Sequence, residues 1–187
     1  MPGERGTRWG YHRLSDHWAD RLVEGAGVRP RELVLDVGAG TGAVTAPLLR
    51  AGARVVAVEL HPARAGRLRR RFGPAVIVVQ ADAADLRLPR RPFRVVANPP
   101  FALVTPLLRR LLSPGSRLLT ADLVVPTFVA DRWATGRGRG SARWSLVYGA
   151  RVVRTLPTTA FVPAAPVPAA VLRMERLELP PARRSTR

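Results

Sequence analysis

The sequence contains no cysteine, no lysine and only three histidines. Without cysteine there is no disulfide, no thiolate metal site and no cysteine nucleophile. His12, His17 and His61 show no metal-binding spacing, so no metal is expected. Acidic residues are scarce: 13 Asp and Glu stand against 31 basic residues, all Arg, for a formal net charge of +18. The coding bias of a GC-rich genome accounts for Arg in place of Lys. It does not account for the excess of base over acid, which points to a polyanionic partner, because Arg pairs bidentately with phosphate and stacks on bases. Apolar runs long enough to span a membrane are missing. The polar, basic N-terminus is not a secretory signal, so a soluble cytoplasmic protein is expected.

What is present fits one domain: 187 residues, 47% of them hydrophobic, enough for a single core. Residues 1–10 read as a flexible basic tail, residues 11–176 as the domain and residues 177–187 as a second basic tail. Residues 11–27 are expected to form a helix, with Leu14, Trp18, Leu22 and Val23 at helical spacing. Apolar strands are expected at 32–37, 54–59, 75–80, 93–97 and 117–125. Helices should intervene up to Arg50, from Pro62 to Phe72, and up to Leu112. Residues 127–140 read as a loop with a flexible Gly/Arg run, and 144–155 and 166–176 as two closing strands. Strands that alternate with helices, and are apolar throughout, predict a mostly parallel, doubly wound α/β sheet with helices on both faces.

Three constellations carry chemistry. Asp36-Val37-Gly38-Ala39-Gly40-Thr41-Gly42 ends the first of these strands, where glycines let the backbone turn tightly and approach a ligand. Glu59 ends the next strand about twenty residues on, where an acid accepts hydrogen bonds from ribose hydroxyls. Asp82-Ala83 follows the third strand; its carboxylate either accepts from an adenine amino group or merely caps a turn. Asn98-Pro99-Pro100-Phe101 ends the fourth strand. An aromatic amine is a poor nucleophile because its lone pair is delocalised into the ring. The Asn98 side-chain oxygen and the Pro99 carbonyl can each accept one amino hydrogen. That draws the nitrogen toward tetrahedral geometry as it attacks a sulfonium methyl. The prolines stiffen the loop, and Phe101 offers a stacking face for the base.

In this order the motifs resemble the ribosomal RNA adenine N6-methyltransferases, the Erm and KsgA groups, over roughly residues 9–176. Asn98-Pro99-Pro100-Phe101 is similar to the Erm branch; the KsgA branch usually has Leu at Pro99. Further matches are Leu123-Val124-Val125 with Val129-Ala130-Asp131-Arg132-Trp133, and Phe161-Val162-Pro163 with Ala170-Val171-Leu172. The resemblance implies a Rossmann-like class I methyltransferase with a seven-stranded sheet. It implies S-adenosyl-L-methionine held by His12, Leu14, Asp36, Gly38, Gly40, Gly42, Glu59, Leu60, Asp82, Ala83 and Asn98. Catalysis would fall to Asn98, Pro99, Pro100 and Phe101. The implied substrate is an adenine in the peptidyl-transferase loop of 23S rRNA, or the assembling large ribosomal subunit, with resistance to macrolide-type antibiotics as the outcome. Arg137, Arg139 and Arg143 are expected to contact RNA, and the protein to act as a monomer away from membranes.

The sequence departs from the family at Tyr11-His12-Arg13-Leu14, where Gln-Asn/His-Phe-Leu is usual, at Pro126 for Gln, and at Val167-Pro168-Ala169-Ala170-Val171 for Val-Asp-Ser-Ala-Val. It ends about where the family's C-terminal helical domain would begin, which implies looser site choice and more binding by the Arg-rich loop and tails. Alternatives are a 16S rRNA or DNA adenine methyltransferase, or a protein glutamine methyltransferase. A nicotinamide-dependent oxidoreductase would use the glycine turn and Glu59 but leave Asn98-Pro99-Pro100-Phe101 idle. A catalytically silent RNA-binding module is the remaining class.

Overall fold

The computed structural model describes residues 12–137 and 140–177. In chain order these form β1 (Arg13–Leu14), α1 (Asp16–Ala26), β2 (Leu33–Val37), α2 (Thr45–Arg50), β3 (Arg54–Val58) and α3 (Pro62–Phe72). Next come β4 (Val76–Val79), β5 (Phe93–Ala97), α4 (Val104–Leu111), β6 (Leu118–Pro126) and α5 (Thr127–Ala134). The described chain closes with α6 (Ser141–Trp144), β7 (Tyr148–Leu156), β8 (Phe161–Val162) and β9 (Ala169–Arg176). The expected tail at 1–10, residues 178–187 and Arg139 lie outside the described residues.

Seven strands make one sheet in the order β4-β3-β2-β5-β6-β9-β7. Strands β2 to β6 pair in parallel, and β9 runs antiparallel between β6 and β7. This is the mostly parallel, doubly wound sheet expected from the alternation of strands and helices, and the seven-stranded Rossmann-like architecture that the resemblance implied. All five residues of β2 are buried, because helices cover both faces of the sheet. Alternation sends Leu33, Leu35 and Val37 into one core with Leu107, Leu108 and Leu111 of α4 and Trp133 of α5. Val34 joins the other core with Leu22 and Val23 of α1, Leu48 of α2 and Leu68 of α3. Among the described residues no helix is long and apolar enough to cross a membrane.

The chain order reverses between β2 and β5: β3 and β4 lie to one side of β2, and β5 and β6 to the other. In open parallel sheets the crevice at the carboxyl ends of such a pair is where ligands bind. The glycine turn leaves β2 there and Asn98 leaves β5 there, so the topology alone brings two of the three constellations together.

Two expectations need correction. Residues 11–27 are not one helix: Arg13–Leu14 pairs antiparallel with Phe161–Val162, and α1 begins only after Ser15, which is extended at φ −61° and ψ 156°. Leu14 is fully buried through that strand pairing, so its helical spacing with Trp18 was coincidental. Residues 127–140 are not all loop either. Residues 127–134 form α5, which buries Ala130 and Trp133 three residues apart, and Trp133 packs on Trp144 with ring centroids 5.3 Å apart. The helix is short, and the Gly/Arg run behind it masked its weak periodicity.

Candidate active site

The glycine turn is held by the strand ends beside it. The backbone N–H groups of Gly38 and Ala39 both donate to the carbonyl of Val58, at 2.8 and 3.1 Å. Gly38, Gly40 and Gly42 adopt φ of 76°, 58° and 89°, the left-handed region that a side chain disfavours. A Cβ on Gly38 would stand 2.9 Å from Pro100 Cδ and 3.3 Å from Pro99 Cα. The glycine turn and the Asn-Pro-Pro-Phe loop are therefore in direct contact, and glycine is what permits it. A Cβ on Gly42 would instead strike the Phe72 ring at 2.5 Å and come within 3.1 Å of Leu68, so that glycine admits α3 to the back of the turn. From the same helix Arg71 donates to the Thr41 carbonyl at 2.8 Å, a latch on the turn that the sequence did not announce.

Glu59 is 5% exposed and organises the next strand end. One carboxylate oxygen accepts from Gly40 N at 2.8 Å and the other from His61 N at 2.9 Å, with Arg64 at 3.8 Å. Each oxygen keeps further acceptor capacity, since a carboxylate offers about four lone-pair directions. Leu60 beside it is exposed. Asp82 accepts from Ala84 N at 2.9 Å and so caps the short 3-10 turn Ala83–Asp85; Ala83 is buried. Asp82 follows β4 by three residues, beyond the carboxyl end of the parallel strands that also lead into Glu59 and the glycine turn.

Asp36 is 1% exposed. Burial pushes its carboxyl up to about 7, with the charge of Glu59 adding to the rise and the Thr45 hydroxyl opposing it. Thr45 Oγ1 donates to Asp36 Oδ2 at 2.6 Å. Leu14, Asp36, Gly38 and Asn98 line one small cavity, so four of the anticipated residues meet there.

Asn98 is oriented from a distance of 86 residues. Its Nδ2 donates to the His12 carbonyl at 2.7 Å, which leaves Oδ1 as the acceptor end of the amide. The 3-10 turn Phe101–Leu103 uses the Pro100 carbonyl, through Leu103 N at 2.8 Å, and so does not consume that of Pro99. Phe101 is half-buried, its ring 6.1 Å from His12 and 6.2 Å edge-on from Phe161. Phe161 is a neighbour the sequence reading matched as a motif without assigning it to the site. Its signal was the pairing of β1 with β8, which no local pattern reveals.

The Arg residues expected to meet RNA do not share this crevice. Arg137 is exposed just beyond α5, and Arg143 sits in α6 beside Trp144. Among the described residues no group of three His, Asp or Glu side chains is placed to hold a metal ion.

Comparison with known proteins adds to this geometry. The family described as ribosomal RNA adenine dimethylase matches residues 7–185. The mycinamicin-resistance protein MyrB of Micromonospora griseorubida is 37% identical over 86% of this chain and 52% of its own length. The ribosomal RNA small subunit methyltransferase A of Leifsonia xyli subsp. xyli is 39% identical over 72% of this chain and 49% of its own. The chain thus spans about half the length of these relatives. The crystal structure of the 23S rRNA methyltransferase ErmE superposes with a TM-score of 0.81 at 26% identity, covering 90% of this chain and 71% of that one. With the motifs in place and the family match running over residues 7–185, the chain belongs to the ribosomal RNA adenine dimethylase family.

Proposed function

We propose that this chain transfers a methyl group from S-adenosylmethionine to N6 of an adenine in ribosomal RNA, acting as a cytoplasmic monomer. The observation that carries the reading is the fixed amide of Asn98. With Nδ2 tied to His12, Oδ1 is presented as an acceptor at the carboxyl end of β5, in the crevice between β2 and β5.

The donor set fits the cofactor. Buried Glu59 retains acceptor capacity for a ribose diol, the glycine turn offers backbone close to the crevice, and Asp82 suits an adenine amino group. When bound, the cofactor supplies an electrophilic methyl on a sulfonium. The protein's part is to prepare the nucleophile. Asn98 Oδ1 and the Pro99 carbonyl accept the two amino hydrogens of the target base, and that demand is greatest as the nitrogen becomes cationic. Pro99 and Pro100 keep both acceptors preorganised, packed into the space that a Cβ on Gly38 would take. Phe101 gives the base a stacking face outside its helix. No general base is required, because the proton leaves to water after the methyl has moved.

The target is proposed to lie in the peptidyl-transferase loop of 23S rRNA, giving resistance to macrolide, lincosamide and streptogramin B antibiotics. Asn98-Pro99-Pro100-Phe101, the likeness to MyrB and the likeness to ErmE support this. The competing reading is a 16S rRNA target, supported by the small-subunit methyltransferase of Leifsonia. Incubation with labelled methyl donor and total rRNA, followed by mapping of the modified adenines, separates them. Label on a 23S adenine is expected. Label confined to 16S rRNA overturns the target, and no label on any RNA overturns the activity.

A further inference from the structure

A cavity of about 890 Å³ opens at the end of the sheet opposite the crevice, within the size range of ligand pockets. It is built where β5, β6 and β7 begin and β9 ends. Pro92 lines it just before β5, while Asn98 stands just after that strand, so about 20 Å separates the two sites at roughly 3.3 Å per residue.

The lining has one sign of charge. Arg109 of α4, Arg117 before β6, Arg143 of α6 and Arg176 of β9 contribute guanidinium groups, and no carboxylate lines the cavity among the described residues. Arg109, Arg117 and Arg143 are exposed, and none has an ion-pair partner among the described residues. Arg176 is held by neutral acceptors: its Nε donates to the Leu118 carbonyl at 2.9 Å and its NH2 to the Tyr148 hydroxyl at 2.7 Å. The guanidinium also lies over the Tyr148 ring, 4.9 Å from its centroid, and no carboxylate pairs with it among the described residues. The floor is aromatic, made by Trp133, Trp144 and Tyr148. Trp144 is 7% exposed, and its indole N–H is buried without a hydrogen-bond partner, a condition that costs free energy unless an acceptor completes it.

We propose that this groove binds a single-stranded segment of RNA, with phosphates on Arg109, Arg117 and Arg143 and a base over the aromatic floor, where Trp144 donates to it. Arginines that track a backbone beside aromatic platforms are the means by which single strands are held without regard to sequence. The groove rests on the reading above that the chain acts on rRNA, and makes it a two-point contact: the catalytic crevice takes the adenine and the opposite rim holds the flanking strand. A protein helix would suit the apolar floor but gives no use to four unpaired positive charges.

The test uses the full chain and a fluorescent ten-nucleotide polyuridine carrying 4-thiouridine. The R109A/R117A/R143A variant should bind it on the order of 100-fold more weakly at 0.1 M salt, with a salt slope shallower by about two, at roughly 0.7 per phosphate contact. Photocrosslinks from the wild type should map to Trp144 or Tyr148, and Trp144→Phe, which keeps the ring and removes the N–H, should weaken binding severalfold. Unchanged affinity and slope in the triple variant, with crosslinks elsewhere, overturn the proposal. So does a mass that rises with concentration in sedimentation and falls to monomer in the triple variant without RNA, which assigns the groove to a second copy. Wild-type protein that methylates rRNA yet shows neither crosslink nor arginine dependence refutes the groove alone. Wild-type protein that crosslinks in the groove and methylates no RNA refutes the proposed function and supports the groove.

Discussion

Replacing Gly38 by Ala should damage methyl transfer more than it damages the fold, and a second glycine provides the control. Gly38 has φ 76°, where an L side chain costs roughly 1–2 kcal/mol. Its new Cβ would also stand 2.9 Å from Pro100 Cδ and 3.3 Å from Pro99 Cα. Neither neighbour is the free end of a flexible side chain, so relief requires the Asn-Pro-Pro-Phe loop to move by some tenths of an ångström. Misplacing a reacting group by about 1 Å can cost roughly 100-fold in rate; a smaller shift here should cost about tenfold. Gly27, at the end of α1, has φ 59° with nothing within 4 Å of a built Cβ. Gly27→Ala should therefore lose the same 1–2 kcal/mol of stability and keep its rate. Denaturant unfolding and single-turnover methyl transfer to an rRNA fragment measure the two quantities. A Gly38→Ala protein with the same rate as Gly27→Ala would refute the claim that the turn positions the catalytic loop.

Asn98→Ala should slow the methyl-transfer step by about 3 kcal/mol or more, the scale of a lost transition-state acceptor; near-normal single-turnover rates would remove Asn98 from the mechanism. Glu59→Gln cannot satisfy both backbone donors, Gly40 N and His61 N, because its amide NH2 must face one of them. A loss of about 1–3 kcal/mol in stability is expected, with weaker S-adenosylmethionine binding by calorimetric titration; equal affinity would exclude Glu59 from the site. Asp36 holds its proton in the fold up to about pH 7, against 3.8 ordinarily. Its contribution to stability is thus present at low pH and is lost as pH rises between those values, by up to about 4 kcal/mol. Asp36→Asn should flatten the fall in Tm from pH 4 to 7 relative to the wild type; parallel profiles would contradict the buried, protonated carboxyl.

Much of this protein was legible in short windows of sequence. Apolar runs covered on both sides marked β2, β3 and β5, and Pro62, tolerated in a first turn, marked the start of α3 where it is observed. The three glycines of the turn were needed because φ > 0 is a local property. Asn98, the only asparagine in the chain, could be singled out because its chemistry is carried by four consecutive residues. What the windows could not contain was anything made by closure of the chain. Arg13–Leu14 becomes a strand only because Phe161–Val162 arrives beside it, and that pairing carries the His12 carbonyl to Asn98 and Phe161 to Phe101. The contact of Gly38 with Pro100, the burial that raises the pKa of Asp36, and the gathering of Arg109, Arg117, Arg143 and Arg176 around one groove have the same origin. Backbone preference and periodicity act between neighbours in sequence. Burial, dielectric environment and the meeting of like charges depend on which distant segments the packed sheet brings together, and only the tertiary structure decides that.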